Sequence, residues 1–148
     1  MESRDFKQMF SDVAKDNGFE KAFEGWFKES DEIIHVLDLQ KSNFGKFYYL
    51  NIKLFIQGIF GNVYEKSKKL VKTDVGNIFL RQPENYSCFL NLEEPLTDED
   101  RKKGLQDLFN NFIVPLSINS STKNGIRELH KKGALFVLPA AKKFLGIV

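Results

Sequence analysis

Apolar residues recur at helical spacing at the start of the chain. Phe6, Met9, Phe10, Val13 and Ala14 fall at i, i+3, i+4, i+7 and i+8, one stripe along a helix over residues 3–17. Ser3 stands where an N-cap belongs, and Gly18, after Asn17, is free to take the left-handed conformation that ends a helix. The period then drops to two. Residues 22–29, 32–40 and 47–57 alternate as strands do. A stretch rich in glycine and lysine follows, suited to a loop or a short helix, before NIFLR (77–81) and YSCFLNL (86–92) return to strand character across a Gln82-Pro83-Glu84-Asn85 turn.

Near Thr97 the period returns to that of a helix. Thr97 is placed as N-cap, Asp98, Glu99 and Asp100 fill the first turn, and Asp100 takes the capping-box position. Leu105, Leu108, Phe109, Phe112 and Ile113 form the buried stripe, with Pro115 just beyond its expected end. A second helix is expected from about Ser121 to Lys132, with Ile126 and Leu129 inward and Gly133 after it. Pro139 suits the first turn of a closing helix that ends near Gly146. A helix, then strands, then helices predicts an α+β fold: about five antiparallel strands in a meander, with an N-terminal helix and C-terminal helices packed on the sheet. No repeat or linker divides residues 1–148, so a single domain is expected.

The strands at 32–40 and 47–57 define two faces. Pairing Leu39 with Tyr48, Leu37 with Leu50, His35 with Ile52 and Ile33 with Leu54 collects one core face. The opposite face then pairs Gln40 with Phe47, Asp38 with Tyr49, Val36 with Asn51 and Ile34 with Lys53. Rings interleaved with donors and acceptors are too polar for a core and suit recognition. The candidate binding surface is therefore Tyr49, Asn51 and Lys53, with Asp38, Gln40 and Trp26 around them. The structural alternative is that a helix from the last third covers this face, leaving Asp38 and Lys53 at its wet margin.

Composition changes this picture in two places. Fifteen Phe in 148 residues call for an aromatic core against the sheet. The net charge of +2 hides a gradient: residues 1–40 carry 5 Lys/Arg against 10 Asp/Glu, residues 101–148 carry 9 against 2. A basic last third fits nucleic acid or an acidic partner, or simply complements the acidic N-terminal third within the fold. Lys66, Lys68, Lys69 and Lys72 form a further basic cluster, with Tyr64 and Tyr49 as rings for base stacking, but no nucleic-acid motif accompanies them.

Candidate catalytic chemistry is sparse. His35 alternates with Ile33, Leu37 and Leu39, the position of a hydrogen-bonded core histidine, and His130 sits at a helix end where a cation suits the dipole. Cys88, the one cysteine, alternates with Tyr86, Leu90 and Leu92 and reads as a buried small hydrophobe. No spacing suits zinc or calcium, and Gly58-Ile59-Phe60-Gly61 is too short for a phosphate loop, so no catalytic residue, metal or cofactor is assigned. MESRDFKQMF lacks the apolar run of a signal peptide, and Ala134–Ala141, the longest apolar run, is too short to span a bilayer; one cysteine fits a reducing compartment. A cytoplasmic location without membrane association is expected. The expected function is non-catalytic binding of a protein or small ligand, immunity-type proteins being one analogy. Nucleic-acid binding through the basic last third is the alternative, and an uncharacterised hydrolase-type activity the second.

Three motifs carry a family likeness: Gly18-Phe19 after the opening helix, Leu39-Gln40-Lys41-Ser42 at a strand end, and Phe47-Tyr48-Tyr49-Leu50-Asn51-Ile52 in the next strand. With them the chain resembles the bacterial family known as domain of unknown function 4304, most specifically over about residues 15–56. Lys53 stands where a small residue is more usual. The resemblance implies one small α+β domain and no activity, because the family has none assigned.

Overall fold

The computed structural model describes residues 1–148. Helix α1 (Ser3–Asp16) leads into β1 (Glu20–Ala22), β2 (Gly25–Glu29), β3 (Ile33–Lys41) and β4 (Tyr48–Ile56). A short helix α2 (Lys68–Lys72) precedes β5 (Ile78–Arg81), and α3 (Asp98–Leu108), α4 (Val114–Asn119), α5 (Lys123–Lys131) and α6 (Pro139–Leu145) follow. The strands form one sheet in sequence order, β1-β2-β3-β4-β5, every neighbour antiparallel. This is the expected α+β meander, with α1 and the C-terminal helices on one face.

Which segments make up the five strands differs from expectation. Residues 22–29 are not one strand; Phe23 and Glu24, at φ 52° and 65°, make a two-residue turn that folds β1 back onto β2. Positive φ at both central positions is the geometry that matches strand twist, here adopted by two residues that rarely take it. Residues 86–92 are not a strand either. Glu84–Leu90 is a 3₁₀ segment, and only Asn91 bridges to the sheet, at Phe47. The reason is Arg101: its buried guanidinium donates to the carbonyls of Phe89, Asn91 and Glu94 at 2.9, 3.0 and 3.1 Å, taking oxygens that a ladder would have used. Cys88 is consequently exposed, not buried, because alternation does not apply to a 3₁₀ turn.

The β3–β4 register is displaced by two residues from the expected one. Leu39 faces Leu50, Leu37 faces Ile52, and Lys41 faces Tyr48. Ser42 moves the hairpin tip: its hydroxyl accepts from Phe44 N–H at 3.0 Å while its own N–H donates to Phe47 at 2.9 Å. An even displacement leaves the two faces intact.

The main core lies between the sheet and the helices. It gathers 26 buried residues, among them Phe6, Phe10, Trp26, Leu37, Leu50, Ile52, Leu54 and Phe109. Phe10 stacks edge-on to Trp26 at 4.8 Å and tilts against Phe109 at 5.4 Å. Ser3 belongs to the first turn, not to the cap, and its hydroxyl bonds that of Tyr48. Thr97 caps α3 as expected, accepting from Asp100 N–H at 3.1 Å. That helix does not stop before Pro115: Phe109–Ile113 widens into a π turn, Val114 N–H reaching back to Phe109, which makes room for the proline ring in α4. Gly104 is required by closeness, since a Cβ there would lie 2.2 Å from the Phe89 ring.

His35 sits in this core as expected, bonded to Ser120 Oγ at 2.7 Å, and that hydroxyl donates to the Leu116 carbonyl at 2.6 Å. Burial, then the nearby Lys28 charge, lowers its pKa to about 4, against a weaker opposing bond to the Lys28 backbone.

Candidate functional site

The outer face of the sheet is covered by the lysine-rich middle segment, and not by a helix from the last third. Ser67 caps α2 by accepting from Leu70 N–H at 3.3 Å. Leu70 and Val71 then pack with Phe27, Ile34, Val36 and Phe55 in a second cluster of six buried residues. Gly25 lets the helix come this close, because a Cβ there would lie 2.8 Å from Val71. Five residues of helix cannot roof the whole face, and beyond α2 the surface turns polar.

At that boundary Lys53 is buried, 4% exposed. Its Nζ donates to the carbonyls of Val71 at 2.6 Å and Leu70 at 3.4 Å, satisfying oxygens at the C-terminal end of α2. Burial pushes its pKa below the ordinary lysine value, and the charges of Asp38 and Asp74 oppose that shift. Asp38, also buried, accepts from Lys72 Nζ at 3.0 Å and from Asn51 Nδ2 at 3.3 Å.

Asn51 links this buried floor to the surface. Its Nδ2 donates to Gln40 Oε1 at 2.9 Å, and its Oδ1 accepts from Arg81 Nε at 3.1 Å. Arg81 also donates from NH2 to Gln40 Oε1 at 3.3 Å and lies over the Tyr49 ring, 4.3 Å from its centroid. Tyr49 is held in turn by Phe47, edge-on at 5.5 Å. The exposed guanidinium is thus oriented by two neutral amides and two rings, Tyr49 and, at 5.9 Å, Phe79. None of the four ion pairs of the chain includes it, although Glu84 and Glu94 line the same cavity. A planar cation fixed in this way is preorganised for the oxygens of an anion.

Two cavities meet at this arginine. One, about 680 Å³, opens over Asp38, Gln40, Asn51, Lys53, Lys72 and Arg81, with Phe79 and Val75 on its margin. The other, about 610 Å³, is lined by Phe47, Tyr49, Gln82, Ser87 and Cys88, and Arg81 again. The structure therefore brings together five of the six residues singled out from the sequence. Trp26 is the exception. It pairs with Leu37 on the helix-covered face, and its indole donates to Ser11 Oγ at 3.1 Å within the main core.

Arg81 was not visible as a site residue in the sequence, and Lys72 was marked only as a member of a basic cluster. Arg81 alternates with Phe79, which would have marked both as one face of a strand. That NIFLR pairs with β4 follows from the expected meander, whereas the absence of a strand at residues 86–92 on its other side is decided only in three dimensions. No group of three or more His, Cys, Asp and Glu side chains converges as a metal site would require.

The fold and face together define a small α+β domain whose meander sheet is sealed by helices on one side and left with a polar, arginine-bearing cleft on the other. The chain belongs to the family described as "Domain of unknown function (DUF4304)", whose model matches residues 10–118. That span runs from α1 to α4 and holds every residue of the cleft named above. No curated protein and no solved structure matches the chain.

Proposed function

We propose that this protein is a non-catalytic binding protein that recognises a protein or small ligand through the cleft over β3, β4 and β5. Tyr49 and Arg81 form the anchor, and Asp38, Gln40, Asn51 and Lys53 form its floor. The observation that carries this reading is Arg81: an exposed arginine laid on the Tyr49 ring, held by Asn51 and Gln40, and in none of the chain's ion pairs. Aromatic and arginine side chains of this kind dominate binding hot spots. An accessory or immunity-type role in a bacterial cytoplasm fits a small domain with an unpaired, exposed cysteine. No helix is long and apolar enough to cross a membrane.

Nucleic-acid binding through the basic last third is the second reading, and the middle lysine cluster adds less to it because three of its lysines are paired with acids. Lys66 pairs with Glu20 at 2.9 Å, Lys72 with Asp38 at 3.0 Å, and Lys68 with Glu24 at 3.8 Å. The test of the binding reading is co-purification from the native host with the wild type and with Tyr49→Ala. Loss of a specific partner with the fold retained supports it; identical capture by both proteins refutes it. Fluorescence anisotropy with random oligonucleotides at low salt decides the alternative, since phosphate-driven binding is strongest there.

A further inference from the structure

The partner's chemistry can be narrowed from the edge of the sheet beside the cleft. β5 is the last strand, and no hydrogen bond joins Ile78–Arg81 to any segment other than β4 and, through the Arg81 side chain, Gln40 of β3. Its outward N–H and C=O groups are therefore open for pairing with another chain. The strand is short, and at its C-terminal end Gln82 turns away to accept from Leu50 N–H at 2.8 Å.

Side-chain placement tells what would suit that edge. Phe79 faces Lys53 across the ladder, and Arg81 faces Asn51, so both project on the cleft face. Phe79 is 41% exposed and Val75 64% exposed, a partly open apolar margin. Beside them stands Arg81, which no ion pair of the chain includes. A strand added to β5 would place its alternate side chains next to Phe79 and Arg81, about 5 Å away. The complementary pattern is apolar opposite Phe79 and acidic opposite Arg81.

We propose that the cleft's partner is an extended, acidic segment of another protein, which adds to β5 as a sixth strand and sets a carboxylate on Arg81. This rests on the cleft being a binding site and adds its occupant. Charge complementarity selects that occupant over a second copy of this chain. β5 reads Ile-Phe-Leu-Arg and carries no acid, so a second copy of the strand would offer Arg81 no carboxylate. Recognition of this kind takes affinity from main-chain bonds and specificity from alternate side chains.

The experiment pans a displayed library of random decapeptides against the intact chain. Enriched peptides should alternate apolar and acidic residues, and changing the acid to its amide should weaken binding tenfold or more. Arg81→Gln should abolish that preference, with folding checked by circular dichroism. N-methylation of the peptide along one main-chain edge should remove binding, whereas methylation along the other edge should not; this arm requires no change to the protein. No enrichment over an unrelated protein overturns the proposal, as does dimerisation of the chain through β5. Peptides that respond to Tyr49→Ala and Arg81→Gln but not to N-methylation would leave the cleft reading standing and remove the strand pairing. Peptides indifferent to all of these changes would remove both.

Discussion

On the helix-covered face of the sheet, Leu37, Leu50, Ile52 and Leu54 join Phe6, Phe10 and Trp26 in one apolar cluster of 26 residues. On the opposite face of the same two strands, a cluster of six ends abruptly at Lys53, and Asp38, Asn51, Gln40 and Arg81 continue it as a hydrogen-bonded network. The first face is closed by area and the second by hydrogen bonds. Apolar burial is non-directional and tolerates no partner choice, whereas a polar network holds its members in fixed orientations that a ligand can read. The polar groups on the closed face serve attachment instead: His35 bonds to Ser120, and Lys28 reaches Ser117 at 3.4 Å, pinning strands to α4 and the residue after it.

The largest effect should fall on the closed face. Phe10→Ala removes a fully buried ring packed on Trp26 and Phe109 and should cost about 3–5 kcal/mol in urea unfolding. A loss below about 1 kcal/mol would mean that this face is not close-packed.

Acid should weaken the same face next. The unfolded chain takes up a proton at His35 near its ordinary value of 6.5, whereas the folded ring resists until about 4. Stability from this group is therefore complete above pH 6.5 and declines as the pH falls toward 4. The full decline is about 3 kcal/mol, of which about 2 kcal/mol falls between pH 6.5 and pH 5. Urea midpoints of the wild type and His35→Gln across that range should diverge by this slope, and parallel curves would contradict it.

The outer face should be less sensitive. Val71→Ala empties part of the six-residue cluster and should cost about 1–3 kcal/mol, with α2 amides gaining hydrogen exchange before those of β4. Equal exchange in both elements would show that α2 unfolds only with the sheet. Tyr49→Ala should change stability least, by under about 1 kcal/mol. Its effect belongs to partner binding, which should weaken while unfolding is nearly unchanged. A stability loss as large as that of Phe10→Ala would make the outer face a second structural core.

The alternation in EIIHVLDLQ and YYLNIKLF, the stripe of α1 and the Thr97 cap were legible in the sequence because each depends on neighbours within a few residues. Side-chain direction in a strand is fixed by parity, so the composition of the two faces survived a register displaced by two. That displacement was not legible, since the Ser42 turn and its alternative present the same faces. Residues 86–92 show the opposite limit. Their alternating pattern is real, yet Arg101, ten residues beyond Asn91, takes their carbonyls and leaves Cys88 outside.

The chain's local pattern by itself determined an α+β domain, most of its helical and extended segments, and a face on β4 that mixes rings with polar groups. Only the tertiary structure decided what that face became. Trp26 went to the other side with Leu37, α2 took half of the surface, and β5 brought Arg81 onto Tyr49. The reason is range: periodicity reports which way a side chain points, whereas a cleft depends on which distant segments arrive beside it. Those arrivals are selected by packing, such as Val71 against Gly25, and by buried charges that must find partners, such as Lys53 and Arg101.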